Sequence, residues 1–510
     1  MDLAIKTNLT FLKGRIQMTT FAQAVMATAN HAQRGYARTD NGMRTLQSTL
    51  SANVDLFGSI KRGANLTHLF ERAFQENPDV AVRIMQYARD IRGGQGERKI
   101  FRDLLLHLER TRPDILTDSR LLENVAEIGR FDDLLIFNTD EVKVRAFNII
   151  AKALAESNGL CAKWMPRKGP VANELRSFLS LSPKQYRKLL VRLTDVVETK
   201  MCAREFDTIN FNHVPSVAMS RYMTAFHKRA PEAFATYKNA LKSGDKSAKV
   251  NASAVYPYDI VRMLGGAKAS NNYGQRGGYG YLTSYDYYAH VDATVPNAMW
   301  EALPDYMNGE SILPIVDTSG SMGIRVAGEV TALDVAVSLG LYTSGKNTGK
   351  LKDMVMTFSS VPKLEQISGT LSERLQKMSN LHWDQGTDLH AAFNLLLNTA
   401  LNSNVPESEM PKILLIFSDM QFNGCVRYDD TALQMMRRKY EEAGYKMPAV
   451  VFWNLNATGD RQPVRFNESG VALVSGFSPS TMKAILAADL DKFSPEAIML
   501  QTVNVPRYNW

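Results

Sequence analysis

Cysteine is scarce in this chain of 510 residues, with only Cys161, Cys202 and Cys425. Three scattered thiols exclude a disulfide framework and a structural zinc cage. They favour a reducing compartment, so a cytoplasmic location is expected. Runs of about 18 apolar residues are also missing, which excludes a membrane-spanning helix and leaves no membrane partner to expect. Near the N-terminus Lys13, Arg15 and Gln17 interrupt any apolar stretch, so no secretory signal is predicted. Residues 1–50 are read instead as a polar N-terminal arm. What the chain does have is an ordinary globular composition, 45% hydrophobic and 22% charged, at a length that predicts several domains.

The net charge of +8 is unevenly spread. Residues 1–300 hold 42 Lys and Arg against 29 Asp and Glu, whereas residues 301–510 hold 18 against 23. Two modules with different partners would give this split, and so would plain solubility charge.

From about residue 60 to 240 the apolar spacing is helical, as in Ala81, Val82, Ile84, Met85 and Ala88. Stretches of similar texture at 121–137, 142–156, 172–180, 185–200 and 216–228 are broken by Gly93-Gly94, Pro113, Pro166, Pro183 and Pro215. This rhythm predicts a HEAT-like helical repeat ring or solenoid over 51–300. Four basic clusters lie on it. Arg89, Arg92, Arg98, Lys99 and Arg102 surround Gly93-Gly94-Gln95-Gly96; Lys163, Arg167 and Lys168 surround Trp164; Lys184, Arg187, Lys188 and Arg192 share one helix face; Arg221, Lys228 and Arg229 follow Pro215. Cations stacked on one face repel each other unless an anion meets them, and phosphates are the usual answer. Nucleic acid is therefore the expected partner of this half. Residues 265–290 interleave glycines with Tyr273, Tyr279, Tyr281, Tyr285, Tyr287 and Tyr288. They read equally as stacking faces for unpaired bases or as an inter-domain loop with packed tyrosines.

At residue 311 the texture changes. Apolar strands at 312–316, 354–358, 413–417 and 449–453 alternate with helices at 325–345, 388–402 and 430–443. That order predicts a mostly parallel, Rossmann-like sheet covered on both faces, with ligands beyond its carboxyl edge. Asp317, Ser319 and Ser321, spaced by two, project to one side at that edge. Asp419 ends another strand, and Thr387 sits in a turn before a helix. Hydroxyl and carboxylate oxygens of this kind suit Mg²⁺ or Mn²⁺ and not zinc or copper. An ion with few direct charges accepts an outside anion as a further ligand.

Asp317-x-Ser319-x-Ser321, Thr387 and Asp419, in that order, resemble the metal-ion-dependent adhesion site (MIDAS) of von Willebrand factor A domains. The likeness covers 308–490, leaving 491–510 as a C-terminal tail. It implies that Ser319, Ser321 and Thr387 coordinate directly, with Asp317 and Asp419 acting through waters. The segments Asp90–Lys99, Asn124–Asp133 and Val214–Tyr222 are similar to Ro-type proteins, in which a helical TROVE module precedes such an A domain. The fit is closest to the Ro-like branch. That resemblance implies a ribonucleoprotein: a helical ring that binds single-stranded and structured non-coding RNA, in RNA quality control or storage. The A domain would add a protein or anionic partner at its magnesium site. RNA-contacting candidates are Arg92, Arg98, Lys99, Lys163, Arg167, Lys168, Lys184, Arg187, Lys188, Arg221 and Lys228. The competing reading is a protein-interaction scaffold that uses the metal site and binds no nucleic acid.

Catalytic motifs are weak. Gly340 to Asn347 nearly matches a phosphate loop but has Asn347 where a hydroxyl must hold Mg²⁺. His382 and His390 flank Thr387 without a carboxylate dyad or activated nucleophile, and nothing near Cys425 predicts a lowered pKa. No enzyme is expected.

Overall fold

The computed structural model describes residues 36–38, 44–252, 255–269, 282–307, 311–358, 360–381, 386–420, 422, 432–456, 462–489 and 492–510. A front half of helices is followed by an α/β half, the fold class that the apolar periodicity predicts. Proline opens the helices Pro78–Arg89, Pro113–Asp118, Pro170–Phe178, Pro183–Leu193, Pro231–Lys242 and Pro257–Leu264. Its missing N–H costs nothing in a first turn, and its fixed φ suits one. Ser182 and Gln185 cap the helix Pro183–Leu193 reciprocally, and that helix buries only Tyr186 and Leu190. Most of its surface is left for charge.

Twelve strands are described: β1 (Tyr36–Arg38), β2 (Arg44–Leu46), β3 (Gly265–Ala269), β4 (Leu282–Tyr287), β5 (Ile312–Asp317), β6 (Arg325–Ala327), β7 (Val330–Thr331), β8 (Met354–Phe358), β9 (Leu364–Gln366), β10 (Ile413–Ser418), β11 (Ala449–Asn454) and β12 (Val471–Ser475). The main sheet runs β12-β11-β10-β5-β8-β9, parallel except for the edge strand β9. β5, β10 and β12 are buried along their whole length, because both faces are covered. The period of two sorts their side chains. Leu313, Ile315, Leu414 and Ile416 join the core under the helices Leu389–Asn402 and Ala432–Glu442. Ile312, Val316, Leu415 and Phe417 join a second core that runs without a break into the helical half.

Two expectations need correction. The helix expected over 325–345 starts only at Ala332; residues 325–331 form the β6–β7 hairpin. Gly328 turns it at φ +58°, and Thr331 with Asp334 forms a capping box that starts the helix afresh. The stretch 265–290 is the β3–β4 hairpin in its described parts. Tyr285 is buried there and Tyr288 is exposed, while Tyr273, Tyr279 and Tyr281 lie outside the described residues.

Both ends of the helical half meet the α/β half. The helix Ala52–Gly58 packs on β12 and on the helix Pro495–Val503, and Ser475 Oγ donates to Phe57 O at 2.9 Å. At the other end the helix Pro257–Leu264 packs on Ala332–Lys346. The glycine turn 93–96 is held by the C-terminal segment: Ser480 Oγ donates to Gly94 O, and Arg507 and Tyr508 Oη both donate to the buried Asp90 carboxylate. Burial pushes the Asp90 carboxyl up. The Arg507 guanidinium and the Arg92 N–H outweigh it and hold the group below its ordinary value. A depressed pKa contributes stability above the ordinary carboxylate range and loses it as pH falls through the depressed value. Arg507→Ala is therefore expected to lower the melting temperature at pH 7, with the gap to wild type closing below about pH 4. A gap that does not change with pH would contradict this.

Candidate functional site

Asp317 ends β5 and Ser418 ends β10, side by side in parallel register. Ser418 Oγ donates to Asp317 Oδ2 at 2.5 Å, and the Ser319 N–H donates to Oδ1 at 2.9 Å. Ser319, Thr387 and Asp419 are buried with Asp317, and Ser321 is half-buried. Thr387 arrives from the other side of β5. The turn before it lies so close to the carboxyl end of β8 that a Cβ on Gly386 would fall 1.7 Å from Ser360 Oγ. The five oxygen-bearing residues thus stand beyond the carboxyl ends of three neighbouring strands, β8, β5 and β10.

Burial raises the Asp317 carboxyl, and the nearby charge of Asp419 raises it further; the donors on Ser418 and Ser319 only partly offset them. No Lys or Arg among the described residues pairs with Asp317. A buried carboxylate beside another charge is neutralised by a proton, an opposite charge or a metal ion. Ser319 Oγ and Ser321 Oγ share a hydrogen bond at 3.0 Å, so the two hydroxyls are held side by side. Among the described residues no three of His, Cys, Asp and Glu cluster. The donors at this edge are hydroxyls with two carboxylates, a hard set that fits Mg²⁺ or Mn²⁺. Ser418 belongs to the site through its hydrogen bond, although its position just before Asp419 was the only sign of it in the sequence.

The basic residues divide sharply. Arg92 Nη1 donates to Glu127 O at 2.8 Å, Arg98 lies 3.8 Å from Asp132, Lys99 pairs with Asp103, and Lys163 pairs with Glu198 beside the Trp164 ring. Arg89 and Arg102 are likewise paired, with Asp133. In contrast Arg167, Lys168, Lys184, Arg187, Lys188, Arg192, Arg221 and Lys228 are exposed and have no acidic partner among the described residues. Four of these, Lys184, Arg187, Lys188 and Arg192, share the face of the helix Pro183–Leu193 opposite to the buried Tyr186 and Leu190. Tyr186 Oη donates to Pro166 O at 3.1 Å, which ties the Arg167-Lys168 loop to the helix bearing Lys184, Arg187, Lys188 and Arg192. Along that helix the four cations span about 12 Å. Arg221 and Lys228 stand on a different helix, Ser216–Arg229.

The enzyme-like motifs have structural explanations. Gly340 lies inside the helix Ala332–Lys346, where a Cβ would come within 2.5 Å of Val316 Cγ2, so glycine lets the helix approach β5. The His390 ring is 2.7 Å from Lys439 Nζ, and burial with that cation lowers its pKa. His382 and Cys425 lie outside the described residues.

Residues 39–128 and 145–303 match a domain of unknown function, DUF2828, and residues 311–504 match another, DUF7788. The chain is 28% identical to uncharacterized protein L728 of Acanthamoeba polyphaga mimivirus, over 91% of this chain and 86% of that protein. Its fold is similar to the crystal structure of the Deinococcus radiodurans Ro (RSR) protein at a TM-score of 0.44 and 13% identity, covering 89% of this chain and 100% of that one. In sequence the chain is similar to DUF2828 followed by DUF7788, with the junction between residues 303 and 311.

Proposed function

We propose that this chain is an RNA-binding protein of Ro-like type, whose α/β half recruits a second partner through a divalent cation. The observation that carries the RNA reading is the exposed helix face bearing Lys184, Arg187, Lys188 and Arg192, together with the exposed Arg167 and Lys168 on the loop tied to that helix, none with an acidic partner among the described residues. Such a patch neutralises phosphates and gains from the counterions released. The resemblance of segments 90–99, 124–133 and 214–222 to Ro-type proteins supports the same reading.

At the sheet edge, Ser319, Ser321 and Thr387 would hold Mg²⁺ or Mn²⁺ directly, and Asp317 and Asp419 would hold its waters. The cation would supply an open coordination position for a carboxylate or phosphate of the partner. The chain's own part is to bury the two carboxylates and to fix the two serine hydroxyls before the ion arrives.

Filter binding with a labelled single-stranded oligonucleotide and a hairpin RNA tests the first half. Retention of either supports it, and retention of neither at 50 mM salt contradicts it. For the second half, Asp317→Ala is expected to abolish manganese uptake in calorimetry and to leave RNA retention unchanged. Loss of both together would mean that Asp317 serves folding, not the cation.

A further inference from the structure

The loop bearing Ser319 and Ser321 does not rest on the α/β half alone. Its hydrogen bonds lead outward in a chain. The Ile324 N–H donates to Ser321 O at 3.1 Å, and the Ala332 N–H donates to Ile324 O at 3.0 Å. Thr331, next to Ala332, donates through its N–H and its hydroxyl to Asp334 Oδ2 at 2.9 and 3.0 Å. Asp334 is completely buried and accepts from two further donors: Arg262 Nη1 on Oδ2 at 3.1 Å and the Ala267 N–H on Oδ1 at 3.0 Å. Both of these belong to the helical half. Arg262 sits in the helix Pro257–Leu264, and Ala267 sits in β3, immediately after it. The β3–β4 hairpin also lies directly against the single helical turn Gly320–Gly323, which contains Ser321.

One buried carboxylate therefore closes the base of the β6–β7 hairpin, the same end at which Ile324 leads into the serine loop, and half of its donors come from the other module. We propose that Arg262 and Asp334 are positioning residues for the cation site. The docked helical half sets the shape of the loop, so divalent-cation affinity depends on that docking. This rests on the cation reading above. Coupling of this kind is reciprocal, so cation uptake in turn tightens the seat of the helix Pro257–Leu264 on the helix Ala332–Lys346. Groups that orient metal ligands from outside the first shell typically change affinity by about 10- to 100-fold.

The test uses the full chain as wild type, Arg262→Ala, Arg262→Lys and Asp334→Asn. Manganese affinity is read by calorimetry, and amide hydrogen exchange over residues 319–332 is read without metal. Arg262→Ala is expected to weaken manganese binding at least about 10-fold and to speed exchange of those amides. Arg262→Lys keeps a donor and a charge at the same place, and it is expected to restore part of both. Asp334→Asn is expected to resemble the alanine variant. If Arg262→Ala does not fold, Arg262→Lys and Asp334→Asn decide the question by intermediate and full loss. Wild-type affinity and wild-type exchange in the variants would overturn the proposal. If wild type takes up no manganese, the cation reading fails, and exchange over 319–332 still decides whether Arg262 shapes the loop.

Discussion

Reversing Arg187, Lys188 and Arg192 together to glutamate is expected to lower affinity for single-stranded RNA about 100-fold at 0.1 M salt. Each phosphate contact on a single strand contributes a slope of about −0.7 in log K against log salt, hence about 0.7 log units at 0.1 M. Three lost contacts give about two log units, and the new negative charges add repulsion. All three side chains are exposed on the helix Pro183–Leu193, whose buried contacts are Tyr186 and Leu190, so the fold should survive. Unchanged melting together with the fall in affinity would place RNA on this face. Unchanged affinity would remove the patch from the RNA account.

Arg89→Ala is expected to have the largest effect on stability, about 3–5 kcal/mol. Arg89 and Asp133 are both almost wholly shielded, at 2% and 0% exposure, and are paired at 2.8 Å. Gly129 makes room for the pair, since a Cβ there would lie 2.8 Å from Asp133 Oδ2 and 2.9 Å from Arg89 Nε. Taking away the guanidinium strands a carboxylate that Arg102 only partly compensates. Urea unfolding measures the loss. Arg89→Met, which keeps most of the volume, should lose nearly as much as alanine if charge is what matters. A methionine variant close to wild type would show that packing alone matters.

The same ion pair shows where a sequence stops being legible. Arg89, Arg92, Arg98, Lys99 and Arg102 are five cations within fourteen residues and look like a patch for an outside anion. Lys99 meets Asp103 four residues on, but the carboxylates that answer Arg89, Arg98 and Arg102, Asp132 and Asp133, come from a turn some thirty residues on, and no local spacing announces that meeting. The helix Pro183–Leu193 has the same kind of cation run, but among the described residues no acid folds over it. The distinction between the two is purely tertiary. The strands at 312–317, 413–418 and 449–454 were legible because burial on both faces demands unbroken apolar runs. β6 and β7, of three and two residues, are too short to show any period, and so the sequence merges them with the helix that follows. The oxygen-bearing residues at the sheet edge are legible because strand ends bring them together by topology. Arg262 and Asp334 are not, being 72 positions apart in different modules.

The dependence of RNA affinity on salt tests the central claim most directly, because its slope counts the phosphates that protein cations neutralise. For wild type against a single-stranded oligonucleotide between 50 and 200 mM salt, a slope near −3 is expected if the four cations of the helix Pro183–Leu193 engage, and near −4 if Arg167 and Lys168 join them. The Arg187→Glu, Lys188→Glu, Arg192→Glu variant should be shallower by about 2. Equal slopes for the two proteins, or a flat response in wild type, would contradict the assignment of RNA to this surface.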